Sequence, residues 1–219
     1  MAAPSCARAH PLLFTSRRAY RMVMVSPARA PKPRRRKPTT PRIRPWTRAD
    51  LARLPDDGNR YEVLDGQLLV TPQASHDHQR VALELAMLLG RYVRRHDVAY
   101  VVGPGAVPFK KNELQPDVQV IPGPRRSATW DSVPAPILVV EVLSASTRHR
   151  DFGVKLDAYV GRVRVPAVWV VDHRKREVHV IARGGEPRIE RQTLEWLAPG
   201  APEPLRIELP AFFKDALGA

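Results

Sequence analysis

The chain has 219 residues and a formal net charge of +14, almost all of which comes from its N-terminal segment. Residues 1–48 contain 13 Lys and Arg and no Asp or Glu, which leaves 23 basic against 22 acidic residues in the remainder. A single cysteine, Cys6, excludes an intrachain disulfide and a thiolate metal cluster, and is typical of a reducing, cytoplasmic compartment.

Residues 1–45 are predicted to form a disordered, basic tail rich in Pro and Arg. The segment holds eight prolines and the run Lys-Pro-Arg-Arg-Arg-Lys at 32–37, and it cannot bury enough apolar surface to fold. Its lack of acids also resembles a transit peptide, while Met22 and Met24 offer later translation starts. No apolar run in the chain approaches the roughly 20 residues that span a bilayer, so no membrane segment is expected.

The folded part, residues 46–219, is predicted to begin with a short helix and a hairpin. Thr47 is suited to cap the helix, and Asp50 to complete a capping box. Two apolar-rich runs then flank Asp65-Gly66, a pair that supplies the positive φ angles of a type I′ turn.

The rest of the pattern predicts an α/β domain with a mixed β-sheet flanked by helices. A long helix is expected from about Asp77 to His96, where apolar residues recur at helical spacing. A single strand interrupted by Gly103-Pro104-Gly105 is expected next. The later predictions are strands at 117–121 and 137–143, a helix at 151–160, a hairpin at 167–172 and 177–181, and a strand at 205–209 before a C-terminal helix.

Two of the predicted strands each carry one carboxylate, Asp117 and Glu141. An unpaired charge inside an apolar strand is costly, so two of them on neighbouring strands predict a shared cation. Mg²⁺ prefers hard oxygen ligands and keeps several waters, so one or two carboxylates are sufficient. Lys155 follows at a position from which it can orient an attacking water, although a lysine on a helical stripe also forms ordinary surface ion pairs.

Five short motifs across residues 46–217 resemble, in order and spacing, those of the restriction-endonuclease-like family of bacterial proteins, within the PD-(D/E)XK nuclease superfamily. They are Tyr61–Gly66, Gln115–Asp117, Glu141–Thr147, Asp151 with Lys155 and Tyr159, and Trp169–Asp172. The resemblance implies a restriction-endonuclease-like core. It also implies an endonuclease that uses Mg²⁺, with Mn²⁺ as a substitute, to cut phosphodiester bonds of DNA.

The resemblance further implies roles for individual residues. Asp117 and Glu141 are expected to bind the metal, with the backbone carbonyl of Val142 as a third ligand. The lysine of the superfamily pattern stands two residues after the second acid, a position that is leucine here, so Lys155 is expected to replace it. Glu62 is expected to help bind metal or a second water, but alternation along its strand leaves open which side faces the core.

Further expectations concern histidine, partners and rival functions. The resemblance suggests a histidine near the site, for which His76 and His78 are available; alone, they are a weak zinc signal.

DNA is the expected partner, and a homodimer is a further expectation because many superfamily nucleases act as dimers. The alternative function is a catalytically inactive nucleic-acid-binding or interaction module on the same fold. A third reading is an interaction protein whose basic tail alone adheres to nucleic acid.

Overall fold

A six-stranded and a four-stranded sheet organise the chain, which the computed structural model describes over residues 44–124, 129–144 and 151–218. The predicted tail, residues 1–45, lies outside the described residues except for its last two positions, so its boundary with the folded part stays a prediction. In the described part of the chain, no helix is long and apolar enough to cross a membrane.

The helices are α1, His76–Arg95, and α2, Leu209–Leu217, with a 3₁₀ helix at Arg48–Arg53 and π-helical turns at Asp151–Lys155 and Ala158–Val163. The strands are β1 Arg60–Leu64, β2 Gln67–Thr71, β3 Ala99–Val102, β4 Val107–Phe109, β5 Asn112–Leu114, β6 Val118–Pro122, β7 Leu138–Val142, β8 Ala167–Asp172, β9 Glu177–Ala182, β10 Arg188–Glu190, β11 Thr193–Trp196 and β12 Leu205–Glu208.

Local sequence signals explain the first elements. The predicted capping box is confirmed, since the backbone N–H of Thr47 donates to Oδ2 of Asp50 at 2.9 Å. The predicted turn is also confirmed: Asp65 and Gly66 have φ angles of 52° and 78° between β1 and β2. Helix α1 begins where the hydroxyl of Ser75 accepts a hydrogen bond from the backbone of the third residue after it.

The six-stranded sheet has the order β10-β9-β8-β7-β6-β3. Strands β7 and β8 are parallel and the other neighbours are antiparallel, which confirms the predicted mixed sheet. One face packs against α1 and α2, because the apolar stripe of α1, including Val81, Leu85 and Leu89, is buried with residues such as Val140 and Trp169 of the sheet.

The opposite face packs against the smaller sheet, whose order is β2-β1-β5-β4. A second apolar cluster joins Leu64 and Leu114 of the smaller sheet to Val139 and Val170 of the larger one. Tyr159, from the π-helical region, is fully buried in the same cluster. The space between the two sheets is therefore the place where side chains from β1, β6, β7 and the π-helical region can meet.

Two sequence predictions about this fold are wrong in detail. Strands β3 and β4 do not form one interrupted strand but lie in different sheets, because the chain leaves the larger sheet at Gly103-Pro104-Gly105. A side chain at Gly105 would overlap the ring of Trp130, so the close approach there requires glycine. The predicted helix at 151–160 is replaced by π-helical turns, since Gly153 has non-helical angles (φ −106°, ψ −107°). Strands β5, β10 and β11 were not predicted.

Candidate active site

The two carboxylates predicted to share a cation come from adjacent strands. Strands β6 and β7 are antiparallel with Val118 opposite Val140, so Asp117 and Glu141 are the next pair in this register. Adjacent strands lie about 4.8 Å apart, which brings side chains on the same face together. The backbone N–H of Val142 donates to Oδ2 of Asp117 at 2.7 Å, which fixes that carboxylate against β7.

Lys155 joins this pair to Glu62. Its Nζ atom lies 2.8 Å from Oε2 of Glu62 and 3.3 Å from Oε1 of Glu141, and all three side chains are at most 2% exposed. Glu62 points toward the larger sheet because it shares a face of β1 with the buried Leu64. Its Oε1 accepts a hydrogen bond from the backbone N–H of Gln115 at 2.8 Å. The orientation left open by the sequence is thus inward, and Lys155 is not a surface lysine.

Asp117 is held as an anion by three donors. Besides the amide of Val142, Nη1 of Arg60 lies 2.7 Å and Nε2 of His78 lies 3.1 Å from its Oδ1. Burial would raise the pKa of Asp117, but the hydrogen bond from His78 and the charge of Arg60 outweigh burial and lower this pKa to about 2. The carboxylate is therefore ionised at neutral pH and able to serve as an anionic ligand.

Arg60 is a site residue that the sequence reasoning missed. It stands two residues before Glu62, on the same face of β1, and this alternation was the available signal. Burial lowers the pKa of Arg60, but the charges of Asp117, Glu141 and Glu62 exceed that effect and raise its pKa above the ordinary value. Its guanidinium group therefore interacts with all three acids of the cluster.

Tyr159 is a second residue of the site that was not assigned a role beforehand. Its hydroxyl donates to Oε1 of Glu141 at 2.8 Å, the oxygen that also faces Lys155. Burial, and then the charges of Glu141 and Glu62, raise the pKa of Tyr159 well above its ordinary range, so the hydroxyl stays a donor. The spacing of four residues from Lys155 was the signal in the sequence.

The carboxylate of Asp117 borders an open cavity of about 400 Å³. The polar lining of this cavity includes Arg60, His78, Asp117, Ser144 and His173. The Nδ1 atoms of His78 and His173 are buried and have no hydrogen-bond partner among the described residues. Burial lowers the pKa of His173, which keeps its ring neutral at neutral pH. The cavity is therefore lined by two imidazole rings beside Asp117.

The two histidines at the start of α1 have different environments. His78 is 4% exposed and contacts Asp117, whereas His76 is exposed and its Nδ1 lies 3.4 Å from Asp77. The histidine near the site is therefore His78. The two side chains face different partners and do not form a joint zinc site.

The donor chemistry of the cluster suits a hard divalent cation, although its present arrangement holds side-chain cations instead. Asp117, Glu141 and Glu62 supply carboxylate oxygens, which are the ligands that Mg²⁺ prefers. In the described residues, no group of three or more His, Cys, Asp or Glu side chains is arranged to hold a metal ion. Instead, the side chains of Arg60 and Lys155 lie against these carboxylates. The carboxylates thus form a cation-binding cluster whose oxygens fit Mg²⁺ by type.

The fold and this cluster define a protein of the restriction-endonuclease-like class. More specifically, the chain belongs to the Uma2 family, described as "Putative restriction endonuclease", whose model matches residues 48–213. The predicted family and fold class are thereby confirmed, and the family supports a nuclease activity.

The fold is also similar to that of a crystal structure described as a putative nuclease belonging to DUF820 from Anabaena variabilis ATCC 29413. That likeness has a TM-score of 0.64 and 18% sequence identity, and it covers 79% of this chain and 100% of the other. No curated protein matches the chain.

Proposed function

We propose that this protein is a Mg²⁺-dependent DNA endonuclease that hydrolyses phosphodiester bonds, with Mn²⁺ as a substitute. The observation that carries the proposal is the buried cluster of Glu62, Glu141 and Lys155 next to Asp117, which borders an open cavity, in a chain of a restriction-endonuclease family. The proposal includes DNA as the substrate and a homodimeric state, neither of which follows from membership of the family alone.

Asp117 and Glu141 would hold the metal ion, with the backbone carbonyl of Val142 as a third ligand. When bound, the ion would neutralise the phosphate charge and lower the pKa of an attacking water. The depressed pKa of Asp117 suits this role, because an ionised carboxylate needs no proton release before it binds a cation.

The remaining side chains would position the attacking water, stabilise charge on the phosphate and hold the other site residues in place. Lys155 would orient the attacking water and stabilise negative charge that develops on the phosphate, since its amine is the cation that lies between Glu62 and Glu141. Glu62 would hold that amine in place through its 2.8 Å contact. The hydroxyl of Tyr159 would fix the carboxylate of Glu141.

One observation favours the rival function, a catalytically inactive nucleic-acid-binding or interaction module. The carboxylates of the cluster are already compensated by Arg60 and Lys155, as they would be in a site that only stabilises the fold. A direct comparison of cleavage and binding separates the two functions.

The test is cleavage of supercoiled plasmid by the full chain in Mg²⁺, Mn²⁺ or EDTA, with Asp117→Asn beside the wild type. Asp131→Asn is the matched control, because Asp131 is an exposed acid paired with Arg48. We expect metal-dependent cutting that falls about 100-fold or more in Asp117→Asn and is unchanged in the control. Cutting retained by Asp117→Asn would contradict the assigned site, and DNA binding without cutting by the wild type would favour the inactive module.

A further inference from the structure

Arg60 is one of the two side-chain cations of the acidic cluster. Its Nη1 atom forms one ionic hydrogen bond, 2.7 Å long, to Oδ1 of Asp117. An arginine that pairs strongly with a carboxylate uses two parallel N–H groups, whereas the Nε atom of Arg60 is buried with no hydrogen-bond partner in the described part of the chain. The guanidinium is therefore held beside Asp117 mainly by charge.

The two side-chain cations of the cluster differ in access. Lys155 is 2% exposed and enclosed by two carboxylates, Glu62 and Glu141. Arg60 is 19% exposed and lines the cavity that Asp117 borders. Arg60 is therefore the more accessible of the two cations, because its side chain reaches the cavity wall.

The formal charges of the cluster also differ with and without Arg60, and this difference bears on how a divalent cation could bind. Counted formally, the carboxylates of Glu62, Asp117 and Glu141 are three negative charges, the side chains of Arg60 and Lys155 are two positive ones, and the ring of His78 is a further donor to Asp117. Without Arg60 the balance is −2, which one divalent cation neutralises. A divalent cation added on Asp117 with Arg60 still in place would instead lie beside a like charge a few ångströms away.

We propose that Arg60 is a built-in counterion that occupies the cation position beside Asp117 and must leave this carboxylate before a divalent metal ion binds. This inference rests on the proposed metal dependence of the site. It agrees with the finding that, among the described residues, no group of three or more His, Cys, Asp or Glu side chains is arranged to hold a metal ion. It also means that the affinity of the protein for metal is weaker than its carboxylates alone would give.

The test is calorimetric titration of the full-length protein with Mn²⁺ alone, for the wild type, Arg60→Gln and Arg60→Lys. Arg174→Gln is the matched control, because Arg174 is exposed and lines the same cavity. We expect Arg60→Gln to bind Mn²⁺ at least about tenfold more tightly than the wild type, because one competing charge is gone. Arg60→Lys keeps the charge and should stay near the wild type, as should the control.

A second measurement needs no variant and covers the case in which Arg60→Gln does not fold. NMR signals of the arginine Nε–H groups are recorded on the ¹⁵N-labelled wild type as Mg²⁺ is added. We expect the chemical shift of the Arg60 signal to change and that of the Arg174 signal to stay the same.

Each result has a distinct meaning. Mn²⁺ binding by the wild type that is no tighter in Arg60→Gln, or an Arg60 signal unmoved at saturating Mg²⁺, would overturn the counterion role and leave the proposed nuclease intact. Absence of metal binding in every variant would overturn both the proposed metal dependence and this inference.

Discussion

Replacement of Lys155 by methionine should strongly destabilise the protein. The substitution keeps most of the apolar stem but removes the charge that lies 2.8 Å from Glu62 and 3.3 Å from Glu141. Two buried carboxylates then lose their shared cation, and loss of one partner of a buried ion pair costs about 3–5 kcal/mol. For a chain of this size that corresponds to a fall in melting temperature of roughly 10 °C.

The assay is urea unfolding of the full chain followed by circular dichroism. Lys175→Met is the matched control, since Lys175 is 60% exposed and its Nζ is 3.9 Å from Glu177; a change below about 1 kcal/mol is expected there. Adding Glu62→Gln to Lys155→Met should recover at least about 1 kcal/mol, because one uncompensated charge is removed. A loss below about 1 kcal/mol of unfolding free energy in Lys155→Met would contradict the role of Lys155 as the shared cation of the two buried carboxylates.

Three further predictions follow from individual contacts. The pKa of Asp117 is about 2 against an ordinary 3.8, so its carboxylate contributes stability above about pH 4 that is lost as the pH falls toward 2. Urea unfolding between pH 5 and 2.5 should therefore show roughly 2 kcal/mol more acid sensitivity in the wild type than in Asp117→Asn, and equal slopes would contradict it. Tyr159→Phe should cost about 1–3 kcal/mol of unfolding free energy, because Glu141 loses a 2.8 Å donor in the buried site; a neutral result would argue against that bond. Gly66→Ala should cost at least about 1 kcal/mol in the same assay, because its φ is 78° and the added carbon would lie 2.7 Å from Cβ of Pro45, whereas Gly161→Ala, with no atom within 4 Å of the added carbon, should not destabilise; equal effects would contradict the tight turn at Gly66.

Features set by short-range chemistry could be predicted from the sequence. The hairpin turn follows from Asp65-Gly66, a pair that accepts positive φ at both positions, and the helix start follows from the cap at Thr47. The meeting of Asp117 and Glu141 could also be anticipated, because two acids in neighbouring apolar strands need a common partner.

Features set by packing between distant segments could not be predicted in the same way. The contact of Arg60 with Asp117 joins residues 57 positions apart, and the sequence offers only alternation along β1 as a hint. The two sheets share one apolar cluster, and only this packing shows that Glu62 points inward. Likewise, the first π-helical turn, Asp151–Lys155, contains Gly153, whose non-helical backbone angles interrupt the helical pattern that the apolar spacing indicated.

The most direct test of the proposed nuclease site is single-turnover cleavage of an end-labelled DNA duplex by the full chain, with excess protein and Mn²⁺ or EDTA. The wild type is compared with Glu141→Gln, and with Glu195→Gln as a surface control whose acid pairs with Arg206. We expect cutting in Mn²⁺ only, with a rate about 100-fold or more lower in Glu141→Gln and unchanged in the control. Equal rates for Glu141→Gln and the wild type, or cutting that persists in EDTA, would contradict a metal-dependent site built on Asp117 and Glu141.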